Sequence, residues 1–211
     1  MSLAPSVGAF VTSLEAAPAN ARINGPMIVG GPDQGADADA IAALYPAPTL
    51  VTGSSATRSR LFAEAPSHSV VHLSVATGRN VAYPLLSRVL LADERGRRHS
   101  GKVMGQEIAA QSMSHTNLVV IDEVEAASAN RGEGTLSLAR AFMAAGVPAV
   151  VGTLPGADET ATRDLMVGFH RRLASGMSAA EALTDLQRNV LQSNGRRLGA
   201  WSALVLYGSD R

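Results

Sequence analysis

The run Leu118-Val119-Val120-Ile121-Asp122-Glu123-Val124-Glu125 decides how the rest of the chain is read. Four consecutive aliphatic residues with no polar alternation suit a strand buried on both faces, as in the interior of a parallel sheet. The acids that follow read as its exit into a polar loop. Val147-Pro148-Ala149-Val150-Val151 is a second run of the same kind. Upstream, Met27-Ile28-Val29 ends on Gly30-Gly31-Pro32, and Thr49-Leu50-Val51-Thr52 on Gly53-Ser54-Ser55; Ser69-Val70-Val71-His72-Leu73 reads as another strand. Trp201 to Tyr207 returns as a last strand.

Helical patterns fill the gaps between these runs. Asp37 to Leu44 carries acids in its first turn, where the helix dipole favours them, and Thr57 to Glu64 is helical in pattern. Thr135 to Ala145 places Leu136, Ala139, Phe142 and Met143 on one face and stops at Gly146. Glu159 to Ala174 and Ser178 to Leu191 follow, separated by Ser175-Gly176-Met177; Ser178 and Glu181 have capping-box spacing. No Pro/Ser-rich linker, charge block or internal repeat interrupts the alternation, so residues 1–211 read as one domain. The expected class is α/β, with a mostly parallel central sheet flanked by helices on both faces. Ligands bind such sheets beyond the carboxyl ends of the strands, which directs attention to residues 74–80, 122–134 and 153–162.

Composition narrows the function. The chain of 211 residues is 46% hydrophobic but only 4% aromatic, so its core is built from Ala, Val, Leu, Ile and Met. Eighteen basic residues balance eighteen acidic ones, without the basic excess of a nucleic-acid binder. The runs Arg95–His99 and Arg196-Arg197 read as solvated turns. No apolar stretch approaches the roughly 20 residues that span a bilayer. The opening Met-Ser-Leu-Ala-Pro lacks the features of a secretory signal and reads as a cloning remnant, compatible with a domain cut from a longer chain. There is no cysteine, which excludes disulfides and thiolate chemistry and fits a cytoplasmic protein. Gly30 to Gly35 and Gly132-Glu133-Gly134 match no phosphate-binding fingerprint and read as turns; no cofactor is expected.

The same segments carry a family resemblance. His72-Leu73-Ser74-Val75-Ala76-Thr77-Gly78, then Tyr83-Pro84-Leu85-Leu86-Ser87-Arg88-Val89-Leu90, resembles the CHAT domain, whose pattern there is roughly H-F-A-x-H-x followed by P-L-L-S-x-L-x-L. Leu118 to Ala127 resembles the family's L-V-V-L-S-A-C-x-T-A, and Leu138 to Val150 its L-A-R-A-F-L-A-A-G-V-P-A-V. Gly53 to Thr57, Asp158 to Thr162, Glu181-Ala182-Leu183 and the Trp201 to Gly208 ending also fit. The resemblance implies a caspase-like peptidase fold, often found C-terminal to TPR repeats, with homo-oligomers through a sheet edge compatible with it.

The chain departs from the family at the reacting groups. Laid on residue by residue, the general-base histidine falls on Ala76 and the nucleophilic cysteine on Val124. Neither side chain transfers a proton or attacks a carbonyl, and the chemistry needs a thiolate formed beside an imidazole. The family Trp after the next strand is absent too, with Pro155 near its place.

Three readings of the polar residues nearby stay open. In the first, Ser74, Thr77, Thr153 or Ser128 serves as a hydroxyl nucleophile; this needs a base, yet His72 reads as a packed strand histidine and His115 as lying at the other end of the sheet. In the second, Asp122, Glu123, Glu125 and Asp158 hold Mg²⁺ or Ca²⁺, against the plainer reading of a solvated acidic loop. In the third, an acidic pocket survives: Asp122 stands two residues before the vacated cysteine position, the spacing at which metacaspase-type relatives shape a pocket for a basic side chain. Asp122, Glu123, Glu125, Asp158 and His72 are then the candidate lining of a pocket for Arg or Lys of a protein or peptide partner. The leading expectation is a pseudopeptidase that binds without cutting; the alternative is a hydrolase with a non-cysteine nucleophile or a carboxylate-bound metal.

Overall fold

The computed structural model describes residues 2–3, 11, 14–15, 25–32, 35–78, 80, 82–125, 134–154, 159–193 and 203–209. Its strands are β1 (Ser2–Leu3), β2 (Met27–Gly30), β3 (Thr49–Thr52), β4 (Val70–Gly78), β5 (Arg88–Leu90), β6 (Lys102–Met104), β7 (Leu118–Glu125), β8 (Ala149–Thr153) and β9 (Leu204–Gly208). Its helices of five residues or more are α1 (Gly35–Ala42), α2 (Arg58–Glu64), α3 (Gly105–Ala109), α4 (Gly134–Ala144), α5 (Glu159–Ala174) and α6 (Ala179–Ser193).

The strands form one sheet in the order β1-β9-β8-β7-β4-β2-β3. Strands β3, β2, β4, β7 and β8 are parallel to one another; β9 runs antiparallel to β8, and β1 parallel to β9. The mostly parallel α/β architecture expected from the apolar runs is the one observed. Side chains alternate across the sheet and feed two separate cores. Met27, Val29, Val71, Leu73, Val75, Val119, Ile121 and Val150 pack with α2, α3 and α4. Ile28, Val70, Leu118, Val120, Ala149 and Val151 pack with α1, α5 and α6.

Local signals place the helix ends. Ser178 caps α6: its Oγ accepts the Glu181 N–H at 3.3 Å, and the Glu181 carboxylate accepts the Ser178 N–H at 3.0 Å. Past α4, Gly146 takes φ 102°, letting its N–H reach the Met143 carbonyl and the Val147 N–H the Phe142 carbonyl.

Three departures matter for the site. Strand β4 does not end at Leu73 but continues to Gly78, because β7 pairs along one edge and the antiparallel β5 along the other. Strand β7 likewise runs through the acids to Glu125, where a polar loop was expected. The hairpin β5–β6 and α3 are too short to leave a periodic signal. Elsewhere β8 starts only after Pro148, which has no N–H to give a ladder. Ser2–Leu3, read as a remnant, pairs with β9. Trp201 lies outside the described residues.

Candidate functional site

The long pairing of β4 with β7 fixes what stands beside what. Their register joins His72 to Val120, Ser74 to Asp122, Val75 to Glu123, Ala76 to Val124 and Thr77 to Glu125. The two positions that the resemblance assigns to the reacting pair, 76 and 124, are thus direct neighbours on adjacent parallel strands near their carboxyl ends. On its other edge β4 pairs with β5, joining Ala76 to Leu90 and Gly78 to Arg88. Ala76 is half-buried, whereas His72 and Ser74 below it are fully buried.

His72 belongs to a polar series inside the core. Its Nδ1 lies 3.0 Å from His170 Nε2, and His170 Nδ1 lies 2.9 Å from Tyr45 Oη. His170 comes from α5 and Tyr45 from the turn after α1, so one chain of contacts crosses from helix to helix to sheet. Burial lowers the pKa of His72 to about 3 and holds that of His170 well below the imidazole range. The Tyr45 hydroxyl is pushed up by the same desolvation. His72 is therefore the packed strand histidine expected, with a partner 98 residues away that local sequence gives no hint of. Among the described residues its other nitrogen, Nε2, has no hydrogen-bond partner, nor has Ser74 Oγ two residues along the same strand face.

Asp122 corrects the solvated-loop reading. It lies within β7 and is only 5% exposed, because the strand carries it into the sheet opposite Ser74. Glu123 and Glu125 are strand residues as well, at the register positions given; Asp158 and Ser128 fall outside the described residues. Among the hydroxyl candidates, Thr77 and Thr153 are buried, and Ser74 Oγ has no base within reach. His115 sits in the turn that precedes β7, at the opposite end of the sheet from position 124. Among the described residues no group of three or more His, Asp or Glu side chains is arranged to hold a metal ion.

The rim at the strand ends carries further charge. Asp37 of α1, almost buried, is ion-paired with Arg163 near the start of α5, which ties the two helices together beside the site. Arg95 to His99 form an exposed turn, as expected; Asp93 folds under it, accepting the N–H groups of His99 and Gly101 at 2.9 Å each. Those hydrogen bonds hold the Asp93 carboxyl below its usual range. Arg196-Arg197 lies outside the described residues, as do residues 132 and 133 of the second glycine turn.

A sequence profile described as the CHAT domain matches residues 6–209. The chain belongs to the CHAT-domain family. Among solved structures, the Saccharomyces cerevisiae separase–securin complex contains a chain to which this CHAT domain is similar, with a TM-score of 0.62 and 14% sequence identity. The match covers 98% of this chain and 13% of that one, so the CHAT domain spans about an eighth of its neighbour's length. No curated protein sequence matches. The fold is thus caspase-like, as the resemblance implied. Among the described residues no helix of the CHAT domain is long and apolar enough to cross a membrane.

Proposed function

We propose that this CHAT domain is a pseudopeptidase: a protein- or peptide-binding module that holds a partner in the cleft where its relatives cut. The observation that carries the reading is the direct pairing of Ala76 with Val124 at the carboxyl ends of β4 and β7. The register sets the two positions side by side with an aliphatic residue at each, and the chain has no cysteine to supply a thiolate from elsewhere.

Asp122 gives the cleft its preference. A carboxylate only 5% exposed, two residues before position 124, suits the aliphatic stem and charged head of Arg or Lys. Glu123, Glu125, Asp158 and His72 complete the proposed lining, His72 from beneath as a fixed wall. The similarity to a protein solved in complex with securin supports a protein partner in kind. We place the module in the cytoplasm, as one domain over residues 1–211, with a TPR domain in the parent chain and homo-oligomers compatible with the family. The absence of cysteine and the balanced charge support this setting, without nucleic acid, membrane or cofactor. The hydrolase alternative requires a base for Ser74 or a carboxylate-bound metal, and neither has support among the described side chains.

Restoring the reacting pair tests the reading directly. Ala76→His with Val124→Cys is expected to cleave peptides after a basic residue in a thiol-dependent manner, while the natural chain binds them uncut. A folded double variant that neither cleaves nor binds such peptides overturns the proposal. In the natural background, Asp122→Asn is expected to weaken binding of a basic peptide by roughly tenfold or more, as loss of a charged hydrogen-bonded contact does; unchanged affinity removes the acidic pocket.

A further inference from the structure

Several arginines among the described residues are ion-paired. Arg58 pairs with Glu107, Arg60 with Glu64, Arg163 with Asp37 and Arg172 with Asp185. Arg88, which opens β5 at the end of β4, has no such partner among the described residues, and its Nε is buried without an acceptor. Its placement is nonetheless specific. The side chain lies across Gly78, its register partner, so closely that a Cβ there would stand 2.7 Å from Nε and 2.8 Å from Cζ. Glycine at 78 is what lets the guanidinium rest on the strand beside Ala76.

An arginine cannot shed its proton, so a half-buried guanidinium with an unmet N–H gains from any acceptor that reaches it. Its planar fork fits a carboxylate, and the neighbouring Leu90 and Ala76 leave an apolar floor on which such a pair is shielded from water. We infer that Arg88, seated over Gly78, is a carboxylate-recognising subsite at the mouth of the cleft, gripping a carboxylate of the same peptide whose basic side chain enters beside Asp122. The inference rests on the peptide-binding reading. Asp122 pairs opposite Ser74 and Arg88 opposite Gly78, four residues apart on β4 and on its two different edges. The two backbone positions are therefore about 13 Å apart along the strand direction, with the Arg88 head group drawn back over β4, a span that suits a peptide. The ligand is thus a segment carrying both signs of charge.

Two measurements separate this subsite from the reading beneath it. In the first, succinate alone is titrated against the intact chain and thermal unfolding is followed. A midpoint raised by succinate in the natural chain and in Asp122→Asn, but in neither Arg88→Met nor Gly78→Ala, supports the subsite. Gly78→Ala is informative because its Cβ would meet only the movable end of Arg88. In the second, capped peptides with one arginine are compared when they carry a glutamate, a glutamine in its place, or a free C-terminal carboxylate. The carboxylate-bearing form is expected to bind roughly 10- to 100-fold more tightly, an advantage lost in Arg88→Met and partly kept in Arg88→Lys. The better of the glutamate and free-terminus peptides identifies the source of the carboxylate. An advantage that survives Arg88→Met overturns the inference, as does a succinate effect independent of Arg88. If succinate acts through Arg88 while no arginine peptide binds, the subsite stands and the peptide reading falls.

Discussion

Toward α2, α3 and α4 the middle of the sheet presents Val71, Leu73, Val75, Val119 and Ile121 without a polar interruption. Toward α1, α5 and α6 the same two strands present Val70, His72, Ser74, Val120 and Asp122, and helix α5 answers with His170. One face is a dry packing surface, where stability depends on filled volume. The other mixes packing with a polar seam that climbs toward the cleft and leaves two buried atoms unsatisfied. Natural cores rarely leave such groups unpaired, and where they do the site tends to be functional.

The comparison is broken most severely on the dry face. Phe142→Ala, a fully buried ring on α4, is expected to cost about 3–5 kcal/mol, read by urea unfolding and little changed between pH 5 and 8. On the seam face the response is to acid. His72 and His170 have folded-state pKa values below the unfolded value near 6.5, so below that pH the unfolded chain binds more protons. The His72 contribution is intact above about pH 6.5 and lost as pH falls toward 3, and His170 shifts in the same direction. The double substitution His72→Leu with His170→Leu is expected to flatten that slope; an unchanged pH profile would mean the seam is not the acid-sensitive element. The smallest effect sharpens the contrast further. Ser74→Ala removes a hydroxyl that satisfies no partner, so stability is expected to stay level or rise by up to about 1 kcal/mol.

Sequence showed the dry face more plainly than the seam, for physical reasons. Continuous aliphatic runs such as Leu118 to Ile121 announce buried strands, and Ser178 with Glu181 or Gly146 mark helix ends through local chemistry. The far end of β4 was not legible, since Ser74, Ala76 and Gly78 are poor strand formers held in place by β5 and β7 on either side. Asp122 sits among acids and looks like a loop until the register buries it. His170 lies on an ordinary amphipathic helix, and nothing local ties it to His72. The seat of Arg88 depends on a glycine ten residues away, whose role exists only once the strands pair. Positions 76 and 124 were found through family likeness, and no periodicity pointed to them.

The contacts among Tyr45, His170 and His72 also constrain one another. Each neutral imidazole carries one hydrogen, so the direction of one hydrogen bond dictates the next. If the Tyr45 hydroxyl donates to His170 Nδ1, His170 must donate from Nε2 to His72 Nδ1, and His72 carries its hydrogen on Nε2. If the hydroxyl instead donates to the His170 carbonyl, 3.3 Å away, every hydrogen reverses and His72 Nε2 is left with a lone pair. The seam therefore has two self-consistent hydrogen arrangements, and imidazole nitrogen resonances would report which one the protein holds.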